Sequence, residues 1–125
     1  MSSTEPAKAL GPYTPIVRAG DWLVCSGQLG VVGGALVDGG VAAQVRQALI
    51  NMAGLLHAQG ASLADVVKTT VFLADIGDFA AMNEAYVTAF AESGDHRPAR
   101  SAFAVAALPL GALVEIEAWA FVADR

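Results

Sequence analysis

The spacing of apolar residues changes along this chain, and each change marks an element. Ile16-Val17-Arg18 and Trp22-Leu23-Val24-Cys25-Ser26 predict two short strands, joined by a tight turn at Ala19-Gly20-Asp21. Residues 27–40 carry six glycines and predict a loop or irregular ribbon, with Ala35-Leu36-Val37 as a short strand inside it. From residue 41 to 59 the period becomes helical, with Val45, Ala48, Leu49, Met52 and Leu56 on one side. Gln44, Arg46, Gln47 and Asn51 fall largely on the other side, and Gly60 supplies the stop. Ser62-Leu63-Ala64-Asp65 predicts a capped helical turn. Residues 66–75 then alternate as a strand rich in Val, Thr and Phe. Asp78 stands at an N-cap position before a second amphipathic helix built on Phe79, Met82, Tyr86 and Phe90, which Ser93-Gly94-Asp95 ends. Residues 100–106 and 113–122 predict two last strands around a turn at Leu108-Pro109-Leu110-Gly111.

The resulting order, ββαβαββ, is that of an α+β domain with two helices on one face of a mixed sheet. The other face is left bare. At 125 residues the chain makes a single domain. We assign it to residues 11–125, preceded by a polar, mobile lead-in over residues 1–10. Gly11-Pro12-Tyr13-Thr14-Pro15 is a stiff, non-helical connection between the two.

Composition sharpens the picture of the bare face. Hydrophobic residues make up 55% of the chain, charged residues 15%, and the mean hydropathy is +0.53. That is more apolar than a monomer of this size needs, and no apolar run reaches the roughly 18 residues of a membrane span. The surplus therefore points to an oligomer that hides the sheet face. The net charge is −5, and Lys8, Arg18, Arg46, Lys68, Arg97, Arg100 and Arg125 are scattered, which argues against nucleic acid as a partner. Cys25 is the one cysteine, leaving neither a disulfide framework nor metal-ligand spacing. The first residues lack a basic region followed by an apolar one, so the expected location is cytoplasmic.

Candidate chemistry lies near the end of the chain. Arg100 sits in an otherwise apolar run, and Glu115 follows fifteen residues later on a strand that reads as buried. A charge in apolar surroundings needs a partner or a ligand, since desolvating it alone costs several kcal/mol. Arg100 has three readings: a salt bridge to Glu115 or Glu117, a charge at a strand end reaching solvent, or a planar fork holding a ligand carboxylate. Glu115 and Glu117 share one face with Leu113, Trp119 and Phe121, their Cα atoms roughly 6.6 Å apart. No aromatic platform or further carboxylates accompany them, so a glycosidase pair finds no support.

Three blocks carry a resemblance over the whole domain. They are Gly11-Pro12-Tyr13 with Cys25-Ser26-Gly27-Gln28; residues 67–75 (Val-Lys-Thr-Thr-Val-Phe-Leu-Ala-Asp) running into 78–86 (Asp-Phe-Ala-Ala-Met-Asn-Glu-Ala-Tyr); and Pro98-Ala99-Arg100-Ser101 with Val114-Glu115-Ile116-Glu117-Ala118. In order and spacing the chain resembles the RidA/YjgF family of imine and enamine deaminases. The resemblance implies a chorismate-mutase-like fold assembled as a homotrimer, with ligand clefts between subunits. It also implies cofactor-independent hydrolysis of 2-imino acids, such as those derived from 2-aminoacrylate, to 2-keto acids and ammonia.

By that resemblance Arg100 anchors the substrate carboxylate and Glu115 positions or activates water. Tyr13 lines the cleft, Ser26 contributes a hydroxyl or backbone contact, and backbone groups near Ser101 and Ala102 fix the imine. Asn83 joins the substrate-binding set, against its alternative as a helix-surface amide. Glu117 is assigned a structural role, and His57 and His96 surface and loop roles. Many members carry a cysteine where this chain has Ala102, so thiol chemistry at that point is unavailable here. Cys25 does not replace it, since it sits in an apolar strand with no adjacent base. Two readings from other classes stay open: a trimeric sensor that binds small carboxylates without turnover, and an RNA-cleaving or translation-inhibiting member. A third keeps the chemistry but takes a larger enamine or carbamate-like substrate through the glycine-rich loop.

Overall fold

In the computed structural model, which describes residue 9 and residues 11–125, strand β1 (Ile16–Ala19) turns through Gly20 into β2 (Trp22–Leu29). The left-handed φ of 60° at Gly20 is what the tight turn requires. Apart from Ala9, the expected lead-in over residues 1–10 lies outside the described residues. The glycine-rich ribbon folds into its own small hairpin, β3 (Val31–Val32) with β4 (Ala35–Leu36). Helix α1 (Gly40–His57), β5 (Val66–Leu73), α2 (Phe79–Ala91), β6 (Ala99–Ala104) and β7 (Val114–Phe121) follow. The main sheet runs β1-β2-β7-β5-β6, antiparallel except where β5 and β6 pair in parallel through the crossover of α2.

Alternation along the strands decides which side is covered. Leu23 and Cys25 of β2, Val66, Val71 and Leu73 of β5, and Val114, Ile116, Ala118 and Ala120 of β7 are buried. They pack with Val45, Ala48, Leu49, Met52 and Leu56 of α1 and Met82, Tyr86 and Phe90 of α2 in one core. Both helices therefore lie on one face of a mixed sheet, as the sequence predicts. The opposite face leaves Trp119 45% and Phe121 41% exposed. Trp22 packs edge-on against both rings, at centroid distances of 6.1 and 5.1 Å, and Phe72 meets Phe103 at 5.5 Å. β7 is thus covered on one face only, in keeping with the bare sheet face that the order of elements predicts.

Two helix residues assigned to the polar side of α1 have structural work on the inner side. Gln44 is buried, and its Oε1 accepts the Leu113 N–H at 2.9 Å. The backbone of Gly30 passes so close that a Cβ there would come within 2.5 Å of the Gln44 Cα. Asn51 Nδ2 donates to the carbonyls of Leu29 and Val31 at 3.1 and 3.0 Å, tying α1 to the start of the ribbon. The helical turn before β5 is capped as predicted, with Ser62 Oγ accepting the Ala64 N–H and Asp65 accepting the Ser62 N–H. Asp65 also receives a two-pronged bond from Arg125, at 2.7 and 2.8 Å, which holds its carboxyl below the usual range.

Candidate active site

The bulge in β2 borders a cleft on the open face of the sheet. Cys25 pairs with Ala118 and Gln28 with Ile116, so Ser26 and Gly27 together oppose the single residue Glu117. The strand bends there, and a cleft of about 470 Å³ opens between it, β7 and the Pro109 turn. Tyr13, Ser26, Gly27, Glu115 and Glu117 all line it.

Tyr13 reaches this cleft because its own segment is pinned to the bulge. Ser26 donates its hydroxyl to the Thr14 carbonyl at 2.8 Å, and its N–H donates to the Pro15 carbonyl at 2.8 Å. Ser26 thus positions the connection that carries Tyr13, with its hydroxyl committed to backbone. Glu115 lies beside Gly27, and its carboxyl is pushed above the ordinary range, first by burial and then by the neighbouring charge of Glu117. A carboxylate raised in this way is a stronger base than a free one. Glu117, assigned a structural role from sequence, shares the cleft; spacing had put it on the same face, but only the bulge brings it to the same hollow.

Arg100 lies elsewhere. It pairs in register with Thr69 of β5, which in turn pairs with Ala118, so its side chain enters the helix-covered face. There Arg100 Cζ stands 5.0 Å from the Tyr86 ring centroid and 5.6 Å from that of Phe79. Its Nη1 donates only a weak bond to Met82 Sδ at 3.7 Å. No carboxylate among the described residues forms an ion pair with it. Tyr86 is fixed beneath the guanidinium by a buried hydrogen bond between its hydroxyl and Thr69 Oγ1 at 2.6 Å. Stacking on rings leaves the edge of the guanidinium plane for an anion.

Asn83 follows Phe79 by one helical turn and precedes Tyr86, on the flank of α2 that meets Arg100. Its Oδ1 is buried with no hydrogen-bond donor among the described residues. Ser101 sits exposed on the open face of edge strand β6, and Ala102, half-buried, follows Arg100 on the helix side. Apart from Ser101, the predicted residues fall into two groups. Tyr13, Ser26 and Glu115 meet in the cleft; Arg100, Ala102 and Asn83 gather on the other side of the sheet, with β5 standing between β6 and β7. Within one chain the proposed anion anchor and the proposed base do not meet.

The remaining candidates are quiet. Burial pushes the Cys25 thiol up to about 12, which leaves it protonated and inert as a nucleophile. His57 is exposed on α1, and His96 bonds through Nε2 to the Val66 carbonyl, securing the loop before β6. Among the described residues no group of His, Cys, Asp and Glu is arranged to hold a metal ion, and no helix is long and apolar enough to cross a membrane.

Comparison with known proteins gives a consistent answer over nearly the full chain. A family profile described as Endoribonuclease L-PSP matches residues 3–122. A mouse protein named 2-iminobutanoate/2-iminopropanoate deaminase is 47% identical over 94% of this chain and 87% of its own. The human protein of the same name is 46% identical over 94% of this chain and 85% of its own. Among solved structures, the YjgF gene product of E. coli superposes with a TM-score of 0.89 at 40% identity, covering 96% of this chain and 95% of that one. TdcF of E. coli, solved with bound serine, gives 0.89 at 37% identity, covering 95% of each chain.

Proposed function

The chain belongs to the endoribonuclease L-PSP family, that is, the RidA/YjgF family, and from that premise we propose that it is a 2-iminobutanoate/2-iminopropanoate deaminase working by hydrolysis without a cofactor. One observation carries the reading to this chain's own residues. A guanidinium stacked against Tyr86 and Phe79, with no carboxylate paired to it among the described residues, is a ready receptor for a small carboxylate.

Because Arg100 and Glu115 face opposite sides of the sheet, the reaction needs a second copy of the chain. The homotrimer implied by the family resemblance supplies one: a neighbour's Glu115 cleft meets the Arg100 side of edge strand β6, and the apolar open faces turn towards each other. Arg100 takes the substrate carboxylate in its fork, backbone groups at Ser101 and Ala102 orient the imine, and Tyr13 covers it. Asn83, with an unused buried acceptor, stands on the same side as Arg100 and fits the imine nitrogen or an ordered water.

The chemistry then balances around one water. Glu115 accepts a proton as the water oxygen attacks the iminium carbon, and the C=N pair moves onto nitrogen to give a carbinolamine. Glu115 returns that proton to nitrogen; the C–N bond then breaks as the hydroxyl becomes the keto group, and the hydroxyl proton passes by way of Glu115 to the departing ammonia, which leaves as ammonium. Orientation and electrostatics supply the acceleration, since such imines already hydrolyse in water.

The endoribonuclease description of the family transfers poorly, because a net charge of −5 with scattered basic residues offers phosphates no track. The test is release of 2-keto acid from freshly generated 2-iminopropanoate, wild type against Arg100→Ala. Truncation should remove the acceleration over buffer; an undiminished rate would sink the reading, and binding without turnover in the wild type would favour the sensor.

A further inference from the structure

Glycine at position 27 is demanded by space and not by backbone conformation. Its φ lies outside the left-handed region, unlike Gly20, Gly33 or Gly39, so alanine is compatible with the backbone there. Yet a Cβ built on Gly27 would fall 2.0 Å from Glu115 Oε2, 2.7 Å from its Cδ and 2.9 Å from its Cγ. The place a methyl would occupy is filled by the Glu115 carboxylate.

We infer that Gly27 is a positioning residue for the reaction: its missing side chain is the seat that holds the Glu115 carboxylate against the bulge and aims it at the substrate water. The inference rests on the role proposed for Glu115 and adds a determinant of where that group stands. Two features of the fold combine to build the seat. The bulge places an extra residue opposite Glu117, which turns position 27 towards Glu115. Hydrogen bonds from Ser26 to the Thr14 and Pro15 carbonyls then tie the bulge to the preceding segment, which opposes a shift of its backbone.

Seating also accounts for the local acidity. A carboxylate pressed onto backbone loses water, and the charged neighbour adds to the effect. The titratable groups lining the cleft with it are Glu117 of β7 and Tyr13 of the connection before β1; β2 contributes Ser26, Gly27, Gln28 and Leu29, and the turn before β7 contributes Pro109, none of which titrates as an acid or base. A methyl at position 27 would push the carboxyl out towards solvent and lower its basicity.

The experiment compares Gly27→Ala, Glu115→Gln, Glu115→Ala and the double variant Gly27→Ala/Glu115→Ala. Gly27→Ala should lower kcat at least about tenfold with KM little changed, and move the acid limb of the pH–rate profile to lower pH. Its melting temperature should fall in the wild-type background and be restored when Glu115 is also truncated, because the methyl then meets empty space. A Gly27→Ala enzyme with wild-type kcat and pH profile would overturn the inference. So would an equal loss of melting temperature in both backgrounds, which would make Gly27 a backbone requirement only; this readout holds even where Gly27→Ala alone folds poorly. Full activity in Glu115→Gln would instead overturn the proposed role of Glu115.

Discussion

Glu115 shows how a residue proposed for chemistry is costly to the fold. Its carboxyl titrates above the ordinary range in the folded chain because it is partly buried beside Glu117. The ionised form is therefore penalised in the native state. That penalty is absent below the unfolded value, about 4.3, and grows as pH rises through the higher folded value. Glu115→Gln should accordingly melt at a higher temperature than wild type near neutral pH, with the gain shrinking at about pH 4. The same variant should lose at least about a hundredfold in kcat. Thermal melts at the two pH values and the imine assay check both halves. Arg100 differs, because its guanidinium rests on the rings of Tyr86 and Phe79.

At the scale of elements, the strands and helices were legible in the sequence because their apolar periods are clean. Alternation over β5 and β7 and helical spacing over α1 and α2 predict their places to within a few residues. What periodicity could not carry is relation between elements. That Arg100 and Glu115 take opposite faces depends on the β6-β5-β7 register, and no pattern within one strand contains that register. The bulge at Ser26 and Gly27 was likewise hidden, since a strand reading ended at Ser26 and treated Gly27 as loop. Asn51 was placed on the solvent side because its two acceptors, Leu29 and Val31, lie in a ribbon with no period of its own. Asn51→Ala would leave these half-buried carbonyls without their donor, at a cost of about 1–3 kcal/mol. Hydrogen exchange should quicken across β3 and β4 in that variant while the protection of α1 and β7 changes little; unchanged exchange in the ribbon would show that Asn51 does not hold it.

For the whole molecule, one sheet face is packed and the other carries exposed aromatic rings next to a cleft holding half of the proposed site. The apolar composition, the edge position of β6 and the separation of Arg100 from Glu115 have a single explanation if neighbouring copies share each site. Mixing two disabled chains probes that sharing between copies. Arg100→Ala and Glu115→Gln are each purified, then unfolded and refolded together in equal amounts, and keto-acid release from 2-iminopropanoate is measured. Each variant alone should be inactive, while the mixture should regain about a quarter of wild-type activity, since random assembly pairs an intact arginine with an intact glutamate at about one site in four. A mixture that stays as inactive as its components, with mixed assemblies shown to have formed, would contradict it.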